Sequence, residues 1–114
     1  MKTRHLHRLL HGTAECDSAV ESLILILEAA GELVSIPGND FCWSYWADES
    51  KAKAELQALI HSLKTGTLPE RLNVAVLFAP TGPLQELGMS SGWAETYLKV
   101  AGKFDEVERL LWGR

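Results

Sequence analysis

Few residues of this 114-residue chain stand where chemistry would need them. Its cysteines are Cys16 and Cys42, and its histidines are His5, His7, His11 and His61. A thiol nucleophile needs a base within hydrogen-bond reach. Away from the N-terminal segment the one available pair is Cys42 with His61, and nothing in the sequence brings them together. Cys42 also stands among aromatic residues, a setting in which a thiol is usually inert. His7 and His11 are four apart, a spacing that can hold one metal on a helix. No Glu follows His7 in the manner of His-Glu-x-x-His, and no Cys stands at ligand spacing, so neither a metal nor a cofactor is read here. A solvated N-terminal tail accounts for these histidines more plainly. His61 reads as a boundary residue beside an apolar stripe. Glu106 with Glu108, and Asp48 with Glu49, point apart on helices and read as solvated faces. There is no phosphate-binding Gly-rich loop, no dinucleotide fingerprint and no nucleophile elbow. No catalytic residue is read from the sequence.

Binding chemistry has more support. Phe41-Cys42-Trp43-Ser44-Tyr45-Trp46 holds four of the nine aromatic residues. Dense aromatics either plug a core or present a binding platform, and Asp40 and Asp48 flank this segment. The stretch from Pro80 to Trp93 is the other unusual region. Pro, Gly and Ser are dense in it, while Leu84, Leu87 and Met89 anchor it. Two tight turns there either expose Thr81, Gln85 and Glu86 on one rim or are plain turn chemistry. The candidate ligand- or partner-binding residues are therefore Asp40, Phe41, Trp43, Tyr45, Trp46, Thr81, Gln85, Glu86 and Trp93. The same stretch has the outline of a helix-turn-helix, with Leu84–Leu87, a turn at Gly88–Ser90 and a second helix from Ser91. Base reading needs basic and amide side chains along that second helix. It offers Glu95, Thr96 and Lys99, so DNA binding ranks last among the readings.

Composition narrows the partners. Net charge is −4, and apolar residues make up 46% of the chain. A mildly acidic chain lacks the basic face that phosphate backbones and anionic membranes demand, so neither nucleic acid nor membrane is an expected partner. The longest apolar run, Leu23–Leu27, is far short of the ~20 residues that span a bilayer. The N-terminus has no apolar core of a secretory signal. Two cysteines are too few for a small disulfide scaffold, so free thiols in the cytoplasm are expected.

These residues need elements to position them. Residues 1–12 read as a tail or short helix, and 13–114 as one globular domain. Asp17 or Ser18 starts a helix over about residues 17–35, apolar nearly all round and so central. Ile36–Asp40 is a turn cluster. Asp48 caps a second long helix over about residues 48–65, with a stripe of Ala52, Leu56, Leu59, Ile60 and Leu63 and a close at Lys64 and Gly66. Asn73–Ala79 is short, apolar and β-branched, which favours a buried strand or hairpin. Gly82, Pro83 and Gln85 would start a short helix through Leu87, or Leu84–Gly88 would return as a hairpin strand. Ser90-Ser-Gly92 caps a last helix, with Gly102 set to kink or break it into a hairpin over about residues 92–112. The expected fold is α+β, mostly α.

Asn39–Trp46, Leu77–Glu86 and Ser91-Gly-Trp93 resemble a small bacterial domain family that carries no assigned activity or site. The resemblance covers about residues 17–109 and implies a stand-alone cytosolic protein of a prokaryote. The leading functional expectation is a non-enzymatic protein-interaction module, which self-associates or binds a protein partner. Its likeness to immunity proteins is one of size and charge only. The alternative is a small-molecule binder or minor hydrolase with a pocket between residues 40–46 and 81–86.

Overall fold

The computed structural model describes residues 3–11, 18–42 and 44–113. The helices are α1 (Arg4–His11), α2 (Ala19–Val34), α3 (Glu49–Lys64), α4 (Arg71–Ala75), α5 (Pro83–Ser91) and α6 (Ala94–Trp112). A single 3₁₀ turn, Val76–Phe78, continues α4.

α2 is the central element. Leu23, Leu27, Ala29, Ala30 and Val34 are fully buried, and Leu25, Ile26 and Leu33 nearly so. Each fully buried Leu stabilises the fold by roughly 2 kcal/mol relative to exposure. A helix apolar all round must be covered on all sides. Here α1, α3 and α6 provide the cover. α3 brings Ala52, Leu56, Ile60 and Leu63, and α6 brings Tyr97, Val100, Phe104 and Val107. The helix starts follow the capping rules. Ser18 Oγ accepts from the Glu21 N–H at 3.1 Å, and Asp48 Oδ1 accepts from the Lys51 N–H at 3.0 Å, each satisfying an otherwise orphan donor.

The described elements are all helical, which corrects the α+β expectation at residues 73–79. Those residues form α4 and its 3₁₀ continuation, not a strand or hairpin. The burial pattern gives the reason. Val74, Leu77 and Phe78 are buried while Val76 is 53% and Leu72 67% exposed. Intervals of three and four between buried positions belong to a helix. The exposed Val76 disguises that period as a continuous apolar run over Val74–Ala79. Phe78 then stacks on Phe104 of α6, with ring centroids 4.5 Å apart. A salt bridge from Arg71 Nη1 to Glu108 Oε2, at 3.0 Å, ties α4 to the same helix.

Two further expectations change. The 83–88 segment is not a hairpin strand, since α5 runs on to Ser91 and stops at Gly92, whose φ of +90° suits glycine. α6 continues through Gly102 to Trp112, so there is no C-terminal helical hairpin. The α5–α6 corner is tight. A Cβ on Gly88 would stand 2.9 Å from Trp93 Cε3. Gly88→Ala is expected to cost about 1–2 kcal/mol through displacement of the indole, read as a lower denaturant midpoint with a changed tryptophan emission.

Candidate functional site

The aromatic segment and the Pro/Gly rim are placed at different ends of α5. Asp40 is bound to its C-terminal end. Its N–H donates to Ser91 Oγ at 2.9 Å, and Ser90 Oγ donates to its carbonyl at 3.0 Å. Its carboxylate accepts from the Cys42 N–H at 2.9 Å, a local turn. The rim closes at the N-terminal end of α5, where the Thr81 N–H donates to Gln85 Oε1 at 2.7 Å. Thr81 holds a left-handed φ of +60°, which is strained for a β-branched residue. About 13 Å of helix separates the two ends at 1.5 Å per residue. Glu86 is exposed one turn into the helix. The structure thus joins Asp40 to Ser90 and Ser91 rather than to Thr81 and Gln85.

The tryptophans act from the core. Trp46 is 3% exposed, and its indole N–H donates to Glu55 Oε1 at 3.2 Å. Trp93 is 7% exposed, and its N–H donates to Asn39 Oδ1 at 2.8 Å. Each indole therefore has its apolar body buried and its polar edge satisfied. Phe41 is half-buried against the core, and Tyr45 projects outward with its ring edge on Trp46. Trp43 and Cys16 lie outside the described residues. Cys42 is an exposed free thiol and His61 is exposed on α3, with no hydrogen bond between them.

A groove between α1, α2 and α3 gathers polar groups that the sequence left scattered. It encloses about 430 Å³. Leu56, Ile60 and Gly31 form its floor, and His5, Glu28, Glu32, Lys53, Gln57 and Lys64 its walls. Glu32 holds one end. Its Oε2 accepts from the His5 N–H at 2.9 Å and its Oε1 from the Leu6 N–H at 2.7 Å. A carboxylate from α2 thereby caps the start of α1, where orphan N–H groups and the helix dipole favour an anion. The His5 ring adds a third contact, Nδ1 to Glu32 Oε2 at 2.7 Å. Glu28 Oε2 stands 3.7 Å from His5 Nε2 and 3.8 Å from Lys64 Nζ. Lys53 Nζ is 3.9 Å from Glu49 on its own helix.

Gly31 gives the groove its depth. A glycine within a helix costs about 1 kcal/mol relative to alanine, so its presence calls for a reason. Packing supplies none, because a Cβ added there meets nothing within 4 Å. That empty space is the groove. Gly102 is similarly unconstrained but lies on the exposed face of α6.

Sequence reasoning missed Glu28, Gly31, Glu32 and Lys64 as a group. One signal was present. Glu28 and Glu32 are a like-charge pair four apart on a largely apolar helix, an arrangement that is locally unfavourable and asks for cations from elsewhere in the fold. Comparison with known proteins places the chain in no family: no family model, no curated protein and no solved structure matches it.

Proposed function

We propose that this chain is a non-enzymatic binding protein whose ligand is a small polar molecule bearing both a positive and a negative group. The ligand sits in the groove between α1, α2 and α3. The observation that carries this reading is Gly31, a helix-interior glycine whose missing side chain opens the floor of an apolar-bottomed groove. Its volume of about 430 Å³ lies in the range of small-molecule sites. Glu28 and Glu32 offer carboxylates from α2, and Lys53 and Lys64 offer ammonium groups from α3. A zwitterion can lie across the groove with its ammonium toward α2 and its carboxylate toward α3. The contacts of Glu28 with His5 and Lys64, at 3.7 Å and 3.8 Å, and of Lys53 with Glu49, at 3.9 Å, are long. A ligand that replaces them with shorter hydrogen bonds gains affinity without leaving a charge unpaired.

The test is a titration of the isotope-labelled protein with free amino acids and short peptides, followed by amide chemical shifts. A binder is expected to move residues 28–35 and 53–64. Gly31→Ala should raise stability by up to about 1 kcal/mol, and Gly31→Leu should fill the floor and abolish the response. No binder in the panel, or a response that survives Gly31→Leu, overturns the reading.

The leading expectation from the sequence is interaction with a protein partner or a second copy. Leu68, Leu72 and Val76 give that reading a surface: they follow one another at intervals of four and are 44–67% exposed. Light scattering across a concentration series tests self-association through this face, and Leu72→Asp should abolish any dimer seen.

A further inference from the structure

α1 separates the groove just described from a second one on its other side. His5 faces α2 and α3, whereas His7 and His11 face α6. The second groove encloses about 230 Å³ and is lined by Thr3, Leu6, His7, Leu10 and His11, with Thr96 and Lys99 of α6 opposite.

The chemistry of this lining is one-sided. His7 and His11 lie one helical turn apart with ring centroids at 5.3 Å. Each imidazole offers an N–H, Lys99 an ammonium and the two threonines hydroxyls. No carboxylate belongs to the lining. Lys99 is in no ion pair among the described residues, and neither are Arg4 and Arg8, which are exposed on α1. Among the described residues, a chain of net charge −4 thus keeps a cationic corner without an ion pair. A metal does not fit it, because the lining offers two imidazoles with no carboxylate or thiolate beside them, and it includes the ammonium of Lys99. A compact oxyanion fits on charge, on donor count and on size.

We propose that the groove between α1 and α6 binds a phosphate-type oxyanion, with His7, His11, Thr96 and Lys99 as its donors. The site is separate from the zwitterion groove, since the two share no lining residue. Lys99 supplies the fixed charge and the imidazoles supply direction. Protonation of either imidazole adds charge of the same useful sign.

The test uses the full chain and inorganic phosphate in mildly acidic buffer, with sodium chloride at matched ionic strength as the control. Phosphate is expected to shift the ring signals of His7 and His11 and the backbone amides of Thr96 and Lys99, and chloride to leave them in place. Lys99→Ala should weaken phosphate by about tenfold, since a charge-assisted bond is lost. Lys99→Glu should abolish binding. Both substitutions are at an exposed position and leave the fold intact. Lys103→Ala, one turn further along α6 and outside the lining, should not change affinity. An equal response to chloride, shifts that survive Lys99→Glu, or no shift at all would overturn the proposal. Titration of Lys99→Glu with the amino-acid panel separates this outcome from failure of the zwitterion groove.

Discussion

Glu32→Ala is expected to release α1 from the domain while the rest of the core stays folded. An eight-residue helix is too short to persist alone in water, so α1 exists only as long as it is docked. Leu6, Leu9 and Leu10 supply apolar contact, and Glu32 satisfies two of the N–H groups in the helix's first turn. A hydrogen bond to a charged group contributes about 1.5–3 kcal/mol, and the bonds on one carboxylate do not add in full. Loss of the carboxylate should therefore reduce the protection of the α1 amides by about 3 kcal/mol in hydrogen exchange. Amides in α2, α3 and α6 should change by less than about 1 kcal/mol, since α2 keeps its packing on α3 and α6 when α1 opens locally. Glu32→Gln retains an acceptor without the charge and should fall between. Glu28→Ala is the control. Its contacts are at 3.7 Å and 3.8 Å on a partly exposed side chain, which predicts about 0.5 kcal/mol or less. Equal loss for the two substitutions would show that α1 is held by its leucines alone. The ligand grooves would respond together, because α1 provides a wall of each.

What was legible in the sequence was local. The caps at Ser18 and Asp48, the stripe of Ala52, Leu56, Ile60 and Leu63, and the central place of α2 all follow from residues within one or two turns of each other. The segment 73–79 misled because Val76 within it and Leu72 just before it are apolar residues that face solvent. Periodicity reads burial, and Leu72 and Val76 are apolar without being buried. The aromatic segment was recognised as either plug or platform, and only tertiary structure decides such a choice. Trp46 and Trp93 find partners at Glu55 and Asn39, the latter 54 residues away. The groove was the least legible part. Its key contact joins His5 to Glu32 across 27 residues, and its floor depends on a glycine that any helix could carry as a minor defect. No motif marks such a site. Only the coincidence of an unneeded glycine with an enclosed volume does so.

Tyr97 gives the other large effect, and it appears at alkaline pH. Its ring is 2% exposed in the core between α6 and α2, and its hydroxyl has no hydrogen-bond partner among the described residues. Burial, with a smaller contribution from Asp105, pushes its pKa up from 10.0 to about 12. The folded state therefore prefers the neutral phenol more strongly than the unfolded chain does. Below pH 10 both states hold the proton, and the pH has no effect through this group. Between pH 10 and about 12 the unfolded chain releases the proton first. Stability then falls by about 1.4 kcal/mol per pH unit, to a total of about 2–3 kcal/mol. Tyr97→Phe should remove that slope. It should also leave stability at neutral pH unchanged or raise it by about 1 kcal/mol, because a desolvated hydroxyl without a partner is taken away. Urea denaturation of both proteins at neutral pH and across the alkaline window measures each effect. A loss of more than about 1 kcal/mol for Tyr97→Phe at neutral pH would mean that the hydroxyl has a partner after all, and the alkaline slope would then have to come from other groups.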